Sequence, residues 1–280
     1  MKHKVLSTSL TAILLPLLVM VLAACGATQS ASPPPNSTPS SGKQGHFNAV
    51  HTPEPAAVTH AVQANTAYEQ GDYRQAVAEF DASIQIDPNY EEAFVRQGIS
   101  YAQLGDLDSA LGDLTQAITL DPSDDAAYYN RGLVYEEMFE SRNRLGYAIA
   151  DFTAAIALKR DEPSYYDARG VANARQREYY TAIADFDKAI ALKPDFVSAY
   201  RDRALTYGYL FDHDKALKDF TRVIELQPGT ASNYYDRALA YEGLKDYAKE
   251  RTDPKKALVL SQDPELTKDI QDRLATIQGR

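Results

Sequence analysis

One cysteine, five histidines and a regular series of arginines and aspartates are the residues with chemistry to offer in this 280-residue chain. Cys25 is the only cysteine, so neither an intramolecular disulfide nor a site with several thiolate ligands can form. His46, His51 and His60 lie in or beside a Ser/Pro-rich stretch, where nothing fixes their geometry, and His213 stands alone. None is spaced to hold a metal. No glycine-rich phosphate loop is legible. The charged residues recur instead. Arg131, Arg169, Arg203 and Arg237 repeat at intervals of 38, 34 and 34, as do Asp113, Asp151, Asp185, Asp219 and Asp253, with one further 34. Carboxylates at a fixed period belong to a helical face or an ion-pair ladder, not to an acid–base centre. Neither an enzyme nor a cofactor is expected.

The elements that position these residues follow the same period. Pro88, Pro122, Pro194 and Pro228 are separated by 34, 72 and 34 residues, the middle interval hiding two units and a small insertion. Within each unit a large residue stands at position 4, a small one at 8, Tyr at 11, Ala at 20, an aromatic or Leu at 24, a small one at 27 and often Pro at 32. In the second unit these are Phe94, Gly98, Tyr101, Ala110, Leu114, Ala117 and Pro122. In the fifth they are Tyr200, Ala204, Tyr207, Ala216, Phe220, Val223 and Pro228. Small residues let two antiparallel helices approach, and the large ones fill the space between them.

This pattern resembles the tetratricopeptide repeat from about Ala57 to the carboxyl end. The resemblance implies an all-α, right-handed solenoid of helix pairs, each leaning on the next because one pair cannot bury its apolar face alone. Six repeats are expected at 57–90, 91–124, 125–162, 163–196, 197–230 and 231–262, followed by a capping helix at 263–280. Four extra residues near Met138 to Leu145 read as an insertion at a surface turn rather than a contact loop carrying Arg142, Asn143 and Arg144. In the sixth unit Glu250 replaces the small residue at 20 and Pro254 the aromatic at 24, so its second helix should kink or split. Asp263 and Pro264 resemble the N-cap and first-turn proline of the final helix.

The first 24 residues read as a secretion signal. Lys2 and Lys4 precede an apolar run from Leu10 to Ala24, too short for a comfortable membrane span. Its end, Leu22, Ala23, Ala24 and Cys25, resembles the lipobox of bacterial lipoproteins, which implies a lipid on Cys25 and a protein held at the outer side of a membrane. Residues 25–56 form an expected disordered tether rich in Ser, Pro and Thr. The net charge is −10, and a phosphate backbone is repelled by such a field, so nucleic-acid binding is not expected.

The ladder is expected to be structural, each Arg at position 7 pairing with an Asp at position 23 of its own or the preceding unit. Function would then lie on the inner face. The resemblance implies a protein- or peptide-binding groove from first-helix positions 5, 9 and 12, here Tyr129, Leu133, Glu136, Arg201, Leu205, Tyr235, Leu239 and Glu242. The Lys and Asn set with which some relatives clamp a peptide carboxylate is missing at position 5, where Val95, Tyr129, Asp167, Arg201 and Tyr235 stand. A scaffold for partner proteins leads; a receptor for an extracellular peptide or glycan and a regulatory partner of a cell-wall enzyme are the alternatives. Tyrosines buried between helices would favour the scaffold, and aromatics clustered in an open groove the receptor.

Overall fold

The computed structural model describes residues 51–138 and 142–278; Cys25, the signal segment and the tether as far as residue 50 lie outside them. All regular structure among the described residues is helical. Six first helices, α1 (Pro55–Glu69), α3 (Glu91–Leu104), α5 (Asp125–Glu137), α7 (Pro163–Arg175), α9 (Val197–Tyr209) and α11 (Ala231–Gly243), alternate with second helices. These are α2 (Tyr73–Ile86), α4 (Leu107–Leu120), α6 (Arg142–Leu158), α8 (Tyr179–Leu192) and α10 (His213–Leu226). In the sixth unit the second helix is split into α12 (Tyr247–Glu250) and α13 (Thr252–Leu260), around Arg251 and just ahead of Pro254. The chain ends in α14 (Pro264–Gln278). Consecutive helices pack antiparallel, each pair against the next, as a solenoid.

Helix ends follow from local chemistry. Asp72, Asp106, Asp212 and Asp246 each accept a hydrogen bond from a backbone N–H three residues on, capping second helices. Pro88, Pro122, Pro194 and Pro228 each follow the C-cap residue and prevent the second helix from continuing. In five of the six units the turn within the pair carries a left-handed residue. Gly71 and Gly105 supply it in the first two units, whereas Arg177, Phe211 and Lys245 adopt positive φ in the last three.

Position 8 against position 24 sets the spacing within a pair. A Cβ at Gly132 would lie 2.6 Å from the Phe152 ring, and one at Gly170 would lie 2.7 Å from Phe186. Both rings are fully buried, as are Phe80 and Leu114 at the same position. The position-20 alanines Ala76, Ala110, Ala148, Ala182 and Ala216 are buried with them. Each buried ring contributes about 1.5–3 kcal/mol relative to exposure. At position 27 of the first unit stands Ser83, whose hydroxyl donates to the carbonyl of Ala57 at 2.8 Å.

The arginines at position 7 sit between units. Arg131 reaches Asp151, Arg169 Asp185, Arg203 Asp219 and Arg237 Asp253, through Nε and Nη2 to both carboxylate oxygens at 2.7–3.0 Å. Every pair lies within one unit. The remaining Nη1 turns to position 25 of the preceding unit, to Thr115, Thr153, Asp187 and Thr221 in turn. Each guanidinium also lies over the position-4 tyrosine of its own unit, 5.5–5.9 Å from the ring centre. One residue thus ties three helices.

Asp113 departs from the expected ladder. Position 7 of its unit is Gln97, which donates to Asp81 at 2.6 Å and leaves Asp113 Oδ2 buried with no partner. Burial, with Asp81 and Asp106 adding negative charge, pushes this carboxyl up to about 7.

Three further differences concern the ends and the insertion. Residues 51–56, expected in the tether, are ordered: His51 Nε2 and the Glu54 amide both bond Asp87 Oδ2, at 2.7 and 3.0 Å, and α1 begins at Pro55. The insertion in the third unit lengthens a helix. α6 has 17 residues where the second helices α2, α4, α8 and α10 have 14, and Arg144 folds back over the Tyr135 ring at 6.0 Å. Glu250, at 0% exposure, accepts from Arg273 Nη2 of α14 at 2.9 Å, and Glu242 of α11 accepts from the same nitrogen at 2.9 Å. Arg273 therefore locks the final helix onto the last unit, with Ile270 and Ile277 buried beneath it.

Phe152→Ala should lower stability by about 3–5 kcal/mol. Gly112→Ala, on an exposed helical site with open space around the new methyl group, should raise it by about 0.5–1 kcal/mol, both read from urea unfolding midpoints. The Asp113 carboxyl is raised in the folded state, so its protonated form favours folding, and that stability is lost as pH rises from about 4 through 7. Gln97→Arg should supply the missing guanidinium between Asp81 and Asp113, as Arg203 does between Asp187 and Asp219. Its thermal unfolding midpoint should exceed wild type at pH 8 and converge on it at pH 4; a gain that is equal at both pH values would count against the pairing.

Candidate functional site

First helices stack beside one another and form the inner face of the solenoid. The expected groove residues do not all lie open on it. Leu205, at 5% exposure, and Glu136, at 3%, are buried. Tyr129 is largely enclosed: its ring lies 4.8 Å from Tyr165 and 5.8 Å from Phe152, and Leu133 packs on the same cluster. The physical reason is the close stacking of α7 on α5, which turns positions that a single helix would expose into an interface. Arg201, Tyr235, Leu239 and Glu242 remain partly exposed.

Polar side chains connect these helices in steps. Arg175 Nε of α7 stands 3.4 Å from Glu136 Oε1 of α5. Burial nonetheless pushes Glu136 up to about 7, against the lowering effect of Arg175. Ser198 of α9 donates to Asp167 Oδ2 of α7 at 2.7 Å. Arg201 of α9 donates from Nε to Asp236 Oδ2 of α11 at 2.9 Å. Arg273 then meets Glu242. The face is a chain of charges, not an apolar channel.

Asp202 breaks the alternation. It is 4% exposed, and its Oδ1 has no hydrogen-bond partner among the described residues; the same holds for Asp167 Oδ1. Burial raises the Asp202 carboxyl well above the usual range, and Asp167, Glu136 and Asp236 raise it further while Arg201 opposes them. Asp167 is pushed up to about 6, by burial and against the hydrogen bond from Ser198. Beside Asp202 opens a cavity of about 220 Å³, lined by Ser198, Arg201, Gln227, Thr230 and Asn233 among others.

Asp202, Asp236 and Arg175 were not among the expected groove residues. They occupy positions 6 and 13, which face the neighbouring first helix, and the signal available was the run of acids at positions 5, 6 and 12 of successive units.

The aromatic residues divide by place. Tyr165 and Tyr166 are buried between helices. Tyr180 and Phe211, at 79% and 82% exposure, lie on the edge formed by the turns within helix pairs, beside the stacked rings of Tyr179 and Tyr209, 5.4 Å apart. Among the described residues no group of three or more His, Cys, Asp or Glu is arranged to hold a metal ion, and no helix is long and apolar enough to cross a membrane.

Comparison with known proteins places this architecture. No curated protein matches the chain. The crystal structure of MamA is similar at 27% identity, over 59% of this chain and 94% of that one, with a TM-score of 0.54. PilW, described as a widely conserved type IV pilus biogenesis factor, shares 19% identity over 78% of this chain and 99% of its own, with a TM-score of 0.70. YrrB, described as a TPR protein with an unusual peptide-binding site, shares 20% over 69% and 97%, with a TM-score of 0.54. The last two likenesses show the fold alone. The family described as TPR repeat matches residues 98–138, and that described as tetratricopeptide repeat matches 62–113 and 201–264. Together these matches span half of the sequence, 62–138 and 201–264, and the chain belongs to the tetratricopeptide-repeat family.

Proposed function

We propose that this protein is a non-catalytic scaffold that binds a partner protein or peptide along the inner face of α5, α7, α9 and α11, held at the outer side of a membrane by a lipid on Cys25. The observation that carries the binding reading is the polar step from helix to helix on that face, interrupted at Asp202 by a buried carboxylate oxygen without a partner beside an open cavity. The tyrosines Tyr129, Tyr165 and Tyr166 are used between helices, which favours a scaffold over an aromatic receptor groove. Tetratricopeptide repeats bind protein or peptide partners, and YrrB carries a peptide-binding site on the same fold. The anchoring reading rests on Lys2 and Lys4, the apolar run to Ala24 and the single cysteine that follows it. The regular charges serve the ladder, which supports the non-catalytic reading.

A photo-crosslinking residue at Tyr235 or Arg201, on the inner face, should capture a discrete partner in native cells, while one at the exposed Lys218 of α10 should not. Equal capture from both faces would remove the groove reading. Cys25→Ala should abolish labelling by radioactive palmitate and move the protein from the membrane to the soluble fraction; a variant that stays membrane-bound would refute the anchor.

A further inference from the structure

The repeat contains an occupied and an unoccupied form of the same contact. Position 5 of the fifth unit is Arg201 and position 6 of the sixth is Asp236, and they pair at 2.9 Å across α9 and α11. One unit earlier the same two positions hold Asp167 and Asp202, across α7 and α9. Two carboxyls meet where the next step has a guanidinium and a carboxylate. Each has a second oxygen, Oδ1, that no donor among the described residues reaches. Asp167 Oδ2 is fixed by Ser198, so the pair cannot simply turn away.

We infer that Asp167 and Asp202 receive the guanidinium of an arginine side chain on the partner protein, entering from the inner face beside Ser198 and Asn233. This inference rests on the proposed binding groove and names the chemistry of its occupant. A guanidinium presents two parallel N–H groups and can donate to both Oδ1 atoms at once, which an ammonium does less well. The cavity of about 220 Å³ that Ser198, Arg201 and Asp202 line on the α11 side of α9 gives the side chain room to approach the pair. The local charge favours it. Arg175 is engaged with Glu136, and Arg201 with Asp236, so the basic residues facing the pair are already matched by acids, and among the described residues neither Asp167 nor Asp202 has an ion-pair partner.

With no guanidinium bound, a proton is the competing occupant. Asp167, pushed up to about 6, takes up a proton as pH falls through that value, and burial holds the carboxyls of Asp202, Glu136 and Asp236 raised beside it, so arginine binding must tighten as pH rises.

Three fluorescein-labelled peptides, Ac-(Gly-Ser-Arg)3, its lysine counterpart and its neutral citrulline counterpart, titrated by anisotropy against the full chain in detergent micelles, test the inference. The arginine peptide should bind at least fivefold tighter than the lysine peptide and the citrulline peptide should not bind. Affinity for the arginine peptide should fall at least tenfold from pH 8 to pH 5. Asp167→Asn with Asp202→Asn should weaken it at least tenfold, while Asp108→Asn with Asp214→Asn, which removes the same charge from exposed positions on α4 and α10, should change it less than twofold. The first double variant should unfold at no lower temperature than wild type at pH 8, since it removes two buried carboxyls that have no ion-pair partner. Equal losses in the two double variants would mean general attraction to an acidic surface, and equal binding of arginine and lysine peptides would refute the guanidinium; either overturns the inference. The groove reading fails separately: partner capture at Tyr235 can persist when arginine selectivity does not.

Discussion

A phenyl ring that lies where a side chain's first carbon would otherwise be fixes the distance between the two helices of a unit. Phe152 against Gly132 and Phe186 against Gly170 show the constraint at its tightest. Interiors are packed as densely as organic crystals, so a contact of this kind leaves the second helix almost no freedom to slide. Everything above the pair inherits that rigidity. The position-7 arginine can reach its own unit's aspartate with two nitrogens only because helix separation is held constant, and the same arginine has one nitrogen left for the preceding unit.

The inner face is a consequence of the same stacking. When first helices lie close, positions 5, 6, 9 and 12 become partly internal, and polar residues placed there must find partners across the interface or remain unsatisfied. Arg201 with Asp236 solves the problem, and Glu136 meets it in part through an ion pair with Arg175 at 3.4 Å. Asp167 with Asp202 does not. A group left unpartnered in a native protein is costly, of the order of 1–3 kcal/mol, and its retention beside an open cavity is the feature that separates this stretch of the face from the rest.

The helix pairs were legible because the period is carried by residue size: glycine or alanine at 8, alanine at 20, and Phe or Leu at 24 are enough to place each helix and its contact. The break near Pro254 was legible for a covalent reason, the missing N–H. Side-chain partners were harder to read. Asp113 follows the aspartate spacing without interruption, and only the glutamine at Gln97, sixteen residues earlier, removes its cation. Glu136 and Leu205 looked like groove residues because helical position alone does not report the helix that will cover them. Glu250 looked like a defect until α14 brought Arg273 to it, a contact 23 residues distant in sequence with no periodic signal.

That last contact limits how the array can change in length. Position 20 elsewhere takes an alanine, which any neighbouring unit accepts, so internal units are interchangeable in principle. The sixth is not. A second copy of it placed ahead of the first would carry a glutamate into the packed interior with no arginine opposite, because Arg273 belongs to the terminal helix and can serve only one such position. A repeat inserted or removed without disturbing this contact must therefore lie before the sixth unit, and α12, which carries Glu250, acts with α14 as a single module.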